Sequence, residues 1–418
     1  MKQLIILLFS IFSLVACHPK PGNPETLMVG TSYRSITPEP GTFIAGDQNN
    51  RKFTGVHDSL YVKALVVFDT KNMVTILSFD CIGMLYPTLL EIRKSISEKI
   101  PIADFDPAHI VMASTHTHSG PDVVGIWGPD QMTSGVNPDY LKEIVLLSTE
   151  AIVSAWKNRQ PAKAIYAQTS FGEDWVYNIA DSLNLDRSLT VLQFLDKNDQ
   201  SIATLNNFAC HPTIMDGVSS EVSADYVSAM YSCLDDRLGG VNFFLQGAIG
   251  GWIQPEYEPK TFESVEKRGR DLGMAILTAL NNPKDLNSNG IQFKSRVFYL
   301  PVSNENFKLL SDMGVIDRPM TDSVKTEVAW FSIGNAQFVT HPGETTPDHS
   351  LESKKMMKVQ GPKFVIGLGM DALGYILTPK FYQPNPEVRH SEYLTGMSVD
   401  QEAGKFLMDQ IISLATGD

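Results

Sequence analysis

Ser114-Thr115-His116-Thr117-His118-Ser119-Gly120-Pro121 places two imidazoles two residues apart. The apolar run Ile110-Val111-Met112-Ala113 precedes them and reads as a buried strand. Side chains at i and i+2 of a strand share a face. Both rings are therefore expected to project into one space at the strand's C-terminal end. Paired imidazoles so placed serve a metal ion or an acid–base exchange.

The pattern recurs. The apolar run 202–209 ends in Cys210-His211-Pro212-Thr213, and the run 337–340 ends in His341-Pro342-Gly343-Glu344-Thr345-Thr346. The run 364–368 leads into Asp371-Ala372-Leu373-Gly374-Tyr375. Strand-end loops on a rigid scaffold are where sites are built. Zinc takes about four N, O or S ligands, and His, His, Glu and Tyr are of suitable type. Each residue has a plainer reading, since a lone His after a strand is usually hydrogen-bonded and structural.

Further strand-like runs lie at 60–68, 74–79, 164–168, 189–195, 242–245 and 297–302. A hairpin is expected over 327–340, broken at Gly334-Asn335. Helix-like stretches occupy 88–99, 140–156, 224–238, 262–281 and 399–414, the second opened by Asn137-Pro138-Asp139. Strands and helices alternate, so the fold class is α/β with mixed β-sheets flanked by helices. A single domain is expected over 28–418, with the Asn287-Ser288-Asn289-Gly290 segment a surface loop.

Composition sets the bounds. The chain has 418 residues and a net charge of −13, which argues against nucleic acid as a partner. Met1-Lys2 followed by the apolar run 4–12 is too short to span a membrane comfortably. Leu14-Val15-Ala16-Cys17 resembles a bacterial lipobox. The expectation is a signal peptide over 1–17 with lipidation at Cys17, then a tether over 18–27. The protein would then be lipid-anchored on the extracytoplasmic side of the cell envelope. Cys81, Cys210 and Cys233 have no CxxC spacing and read as buried free thiols, with a disulfide between two of them left open.

At these residues the chain resembles the neutral, non-lysosomal ceramidase family. Ser35-Ile36-Thr37-Pro38, Ile44-Ala45-Gly46 and Gly55-Val56-His57-Asp58 are similar to its opening segments. Thr115 to Pro121 is the most specific match. Phe208-Ala209-Cys210-His211-Pro212-Thr213, Pro342-Gly343-Glu344-Thr345-Thr346 and Gly374-Tyr375-Ile376-Leu377-Thr378-Pro379 follow in the family's order. The resemblance implies one Zn2+ per chain on His116, His211, Glu344 and Tyr375. It gives His118 a catalytic role beside the metal and makes hydrolysis of an N-acyl amide by activated water the default reaction. Asp122 and Asp225 are candidates to orient an imidazole. Trp252 and Trp127 could line an aromatic face for a sugar or acyl group, and His341 is either a site residue or structural.

Two departures stand out. Ile253 and Gly251 fall where the family has a Ser and an Asp, and Asn178-Ile179-Ala180 falls where it has an Arg facing substrate. The family's C-terminal β-sandwich domain is also expected to be missing. The metal half of the site thus looks retained and the substrate half rebuilt, which puts ceramide in question. Three readings follow: an amide hydrolase on a small-molecule, lipid or glycan substrate; an envelope esterase or glycan-active hydrolase using the same metal; and a metal-containing binding lipoprotein without catalysis.

Overall fold

Eight strands make the larger sheet: β1 (Leu27–Ser35), β2 (Tyr61–Phe68), β3 (Met73–Phe79), β4 (Ile110–Ser114), β5 (Gln160–Ser170), β6 (Ser188–Leu195), β7 (Ser201–Phe208) and β8 (Val241–Gln246). Their order is β8-β7-β6-β5-β1-β2-β3-β4, and a two-residue strand, Lys284–Asp285, pairs with β5. Most neighbours are antiparallel, but β3/β4 and β7/β8 are parallel. Every residue of β3 and β4 is buried, which explains their continuous apolar sequences: both faces are covered. The computed structural model describes residues 27–417 apart from 47, 102, 257–258 and 288–289. Cys17, the signal segment 1–17 and all but the last residue of the expected tether lie outside the described residues, as does part of the 287–290 loop.

A smaller sheet runs β9 (Ile291–Pro301), β10 (Ser323–Ile333), β11 (Ala336–Thr340) and β12 (Lys363–Ile366) in that order. The expected hairpin is β10–β11, turning at Gly334 with φ +57. β11 and β12 are parallel. One face of this sheet joins the main core through the stacked rings of Phe331, Phe338 and Phe364. The other face, with Leu300, Val328 and Val365, packs on Leu407 and Ile411 of the last helix, α8 (Ala403–Thr416).

Seven helices precede α8: α1 (Tyr86–Ser97), α2 (Pro138–Lys157), α3 (Tyr226–Asp235), α4 (Phe262–Ala279), α5 (Glu305–Asp312), α6 (Pro347–Met356) and α7 (Ser391–Gly396). The Asn137 side chain accepts from the Asp139 and Tyr140 amides, and Pro138 opens α2, as the local sequence predicts. Helices α3 and α4 cross at Gly269, where a Cβ would lie 2.3 Å from the Tyr226 carbonyl oxygen. The sequence signal for β1 and α6 is weak: α6 reads PDHSLESKKM and carries no apolar stripe. Among the described residues no helix is long and apolar enough to cross a membrane.

The larger sheet curls until its ends communicate. Ser78 Oγ on β3 donates to the Phe244 carbonyl on β8 at 2.9 Å. The two sheets are tied by Gly367 N to Gln246 O at 2.9 Å and by Asn207 Nδ2 to Val365 O at 3.0 Å. As a result, the carboxyl ends of the parallel pairs β3/β4, β7/β8 and β11/β12 meet in one region, the usual place for a site in such sheets.

Arg318 and Asp371 form a buried ion pair at 2.7 Å, with side chains 2% and 0% exposed. Asp371 also accepts from Tyr86 N, Thr326 Oγ1 and Ala372 N. Arg318→Met strands this carboxylate, and we expect a loss of about 3–5 kcal/mol in chemical denaturation. Arg318→Met/Asp371→Leu should recover part of that loss. A single-variant loss below about 1 kcal/mol, the range of an exposed pair, would contradict this account.

Candidate metal centre

Strand β4 ends at Ser114, before the histidine pair. Thr115 N and His116 N continue to bond Phe79 O and Cys81 O, at 2.8 and 2.9 Å, but His116 turns to φ +72. The expectation that strand alternation aligns His116 and His118 is therefore corrected. A left-handed turn brings the rings together, with their Nε2 atoms 3.3 Å apart.

His116 Nδ1 lies 2.5 Å from Ile82 O, and His211 Nδ1 lies 2.6 Å from Ile253 O. A carbonyl only accepts, so each Nδ1 carries a proton and each Nε2 faces the shared space. Glu344 Oε2 faces them, 3.6 Å from His116 Nε2 and 3.1 Å from His211 Nε2. Glu344 and Tyr375 are register partners in two short parallel strands, and the Tyr375 hydroxyl bonds the Glu344 carboxylate. The rings of His116, His118 and His211 form a group whose ligand atoms all lie within 4.8 Å of one another.

The group is electrostatically unusual. Burial pulls His116 down to about 3. Burial pushes Glu344 up, but the rings of His116 and His211 outweigh it and hold the carboxyl below its ordinary range. His116 Nε2, His211 Nε2 and the Glu344 carboxylate thus lie within reach of one another, an arrangement that could hold a cation. Two imidazole nitrogens, a carboxylate and a phenol fit zinc by ligand type.

His118 has a different partner. Its Nδ1 lies 3.1 Å from Asp216 Oδ2. Burial disfavours its charge, but the Asp216 carboxylate overrides this and raises its pKa. Asp216 was not anticipated from the sequence, since it sits in an ordinary-looking Asp-Gly turn, five residues after His211. Asp225, expected to orient an imidazole, instead accepts from Met215 N at 2.9 Å and Tyr226 N at 2.7 Å. It holds the loop that carries His211 and Asp216, and so acts one step removed. Asp122 also meets main chain: it accepts from Val124, Gly125 and Trp127 amides. The Trp127 indole donates to Gly46 O, and a Cβ at Gly46 would lie 3.0 Å from the His118 ring. His341 is outside the cluster, with its nitrogens on Thr345 Oγ1 (2.7 Å) and Ser353 Oγ (3.1 Å), a structural arrangement. Trp252, at φ +70, packs against Tyr393.

Gln246 ties the two histidine loops together. Its Nε2 donates to Thr115 O (3.0 Å) and Cys210 O (2.9 Å), while Oε1 accepts from Cys210 N (3.2 Å) and Gly247 N (3.1 Å). Beside it, the segments that depart from the expected family pattern pair as strands, Ile253 opposite Asn178. The Ile253 side chain is buried, yet its carbonyl accepts from both the main chain and the ring of His211. The thiols of Cys81, Cys210 and Cys233 are free.

The profile of the neutral/alkaline non-lysosomal ceramidase family, N-terminal part, matches residues 29–242. The chain belongs to this ceramidase family. Neutral ceramidase A of Dictyostelium discoideum is 25% identical over 249 residues, 53% of this chain and 34% of that protein. Neutral ceramidase B of the same organism is 26% identical over 189 residues, 41% of this chain and 26% of that one. The chain thus matches about a third or less of the length of these relatives. The crystal structure of neutral ceramidase from Pseudomonas aeruginosa superposes with a TM-score of 0.75 at 17% identity, covering 94% of this chain and 75% of that one. The ceramidase fold therefore extends well beyond the profile match, through both sheets.

Two outcomes test this geometry. Gln246→Glu replaces two donors with a carboxylate against two carbonyls, and we expect metal affinity to fall about 10–100-fold in a chelator competition. Unchanged affinity would show that the clamp does not position the ligands. Asp225 is pushed up to about 7 by burial. Its folded pKa is above the unfolded value, so its contribution to stability is complete at low pH and is lost as pH rises from about 4 to about 7. Wild type should therefore lose stability relative to Asp225→Asn across that window in urea denaturation. A constant difference would contradict the shift.

Proposed function

We propose that this protein is a zinc-dependent hydrolase that cleaves an N-acyl amide of a lipid-like substrate other than ceramide. The observation that carries this reading is the convergence of two imidazole Nε2 atoms and one buried carboxylate on a single point. His116, His211, Glu344 and Tyr375 would hold the ion. A zinc ion bound there supplies Lewis acidity, which polarises a carbonyl and acidifies water.

The chain's own groups supply the rest. His118, fixed through Nδ1 by Asp216, presents Nε2 as the proton carrier. It takes a proton as water oxygen bonds the amide carbon, and returns it to the nitrogen as the C–N bond breaks. A carboxylic acid and an amine leave. Asp216 keeps the ring oriented and stabilises its charged form. Ile253 can neither attack a carbonyl nor donate a hydrogen bond, so the family's serine role has no counterpart at that side chain. That loss favours a substrate recognised by other groups, and an ester remains compatible with the same machinery. We further propose that Cys17 anchors the protein to the envelope membrane, close to lipid substrates.

Elemental analysis of wild type, His116→Ala/His211→Ala and His118→Ala is the test. We expect about one zinc per chain in wild type, its loss in the double variant, and its retention in His118→Ala with turnover of N-acyl amides reduced about 10²–10⁴-fold. Wild type without metal after incubation with zinc would overturn the proposal. A turnover unchanged in His118→Ala would remove that residue from the chemistry.

A further inference from the structure

Trp252 is a bulky aromatic residue at φ +70, directly after Gly251 at φ +90. Left-handed backbone is costly for a residue with a side chain and persists where surrounding structure enforces it, often at ligand sites. Here the enforcement is main-chain: Ile179 N bonds Trp252 O at 3.2 Å, Ala180 N bonds Gly251 O at 3.2 Å, and His211 N bonds Ile253 O at 2.9 Å. The same segment that fixes the candidate metal ligand His211 therefore fixes the indole.

The strained backbone does not take the indole into the core. The ring is half-buried and stacks on Tyr393, with centroids 5.4 Å apart and planes at 26°. Tyr393 is 53% exposed. His390, itself at φ +55 and exposed, stands edge-on to the indole at 5.5 Å and 83°. On the other side, Tyr393 lies 6.5 Å from the ring of Tyr375, which bonds Glu344. A row of rings thus runs from the metal donor set to the surface.

We propose that Trp252 and Tyr393 form a substrate subsite for a pyranose ring, so that the cleaved amide belongs to an N-acylated amino sugar or another sugar-bearing amide. The assignment of the reaction rests on the hydrolase reading above; the binding subsite does not. Hydrolysis adds water across the amide, yielding the acyl group as carboxylic acid and the sugar as free amine. The shape of the site selects the sugar. A quaternary ammonium group needs aromatic faces around it, whereas Trp252 and Tyr393 face each other and leave a ligand one outer ring face on the exposed side, a single wall. The C–H face of a pyranose lies flat on such a wall, and its hydroxyls meet a polar rim that includes the exposed His390 ring. An alkyl chain has nothing to offer that rim. In this chain the aromatic wall adjoins the segments where the family's serine and arginine are expected, so recognition moves from those side chains to the wall.

The test compares two amides with one acyl group, N-octanoylglucosamine and N-octanoylethanolamine, on zinc-loaded full chain. We expect kcat/KM to favour the sugar amide by about tenfold or more, the scale of a good aromatic contact. Trp252→Gly and Tyr393→Ala should erase that preference. Glycine suits φ +70, so Trp252→Gly is expected to fold. Saturation-transfer NMR with N-acetylglucosamine gives a readout independent of turnover: transfer in wild type, lost in Trp252→Gly. If neither amide is cleaved but transfer is seen and lost in the variant, the subsite stands and the hydrolase reading falls. Absence of both preference and transfer, or transfer unchanged in both variants, would overturn the subsite, as would binding of phosphocholine in preference to the sugar.

Discussion

The candidate site depends on one buried carboxamide. Gln246 uses both hydrogens and both lone pairs of its side chain on main-chain atoms. Three of those atoms belong to Thr115 and Cys210, the residues immediately before His116 and His211. Neither loop could keep buried polar backbone without partners, because an unmet donor or acceptor there costs about 1–3 kcal/mol. Satisfying both loops through one side chain fixes their separation. The rings then inherit that separation, and the Ile82 and Ile253 carbonyls fix their tautomers.

The sheets explain why four ligand types from distant sequence positions meet. Parallel pairs point their carboxyl ends the same way, and three such pairs end together: β3/β4 before His116, β7/β8 before His211 and Gln246, and β11/β12 before Glu344 and Tyr375. The antiparallel strands between them build the curl that makes the ends converge. Asp371, with Arg318 and three further donors, then pins the segment leading to Tyr375 against α1 and β10.

Much of this is legible in the sequence because it is local. Apolar runs of strand length mark β2, β3, β4, β6, β7 and β8, and Asn137-Pro138 marks the start of α2. His116, His118, His211, Glu344 and Tyr375 stand at strand ends where polar residues are conspicuous. What is not legible depends on backbone angle or tertiary contact. The turn at His116 is a left-handed residue that no sequence period announces. Asp216 is recognisable only once His118 is seen beside it. Asp122 and Asp225 have the right type and neighbourhood, yet each spends its oxygens on amides, a choice that proximity in sequence cannot distinguish from holding an imidazole.

Residues 211–216 have a consequence of their own. This six-residue loop carries a candidate ligand at one end and the partner of His118 at the other, and Asp225 pins the far end through Met215. A displacement of the loop therefore moves His211 and the Asp216 contact to His118 together. Substitutions beneath it cannot tune one without the other. The segment around residues 251–253 is free of that linkage on its side-chain face, because it serves the ion through a carbonyl. Its side chains can diverge while the carbonyl that holds His211 stays in place.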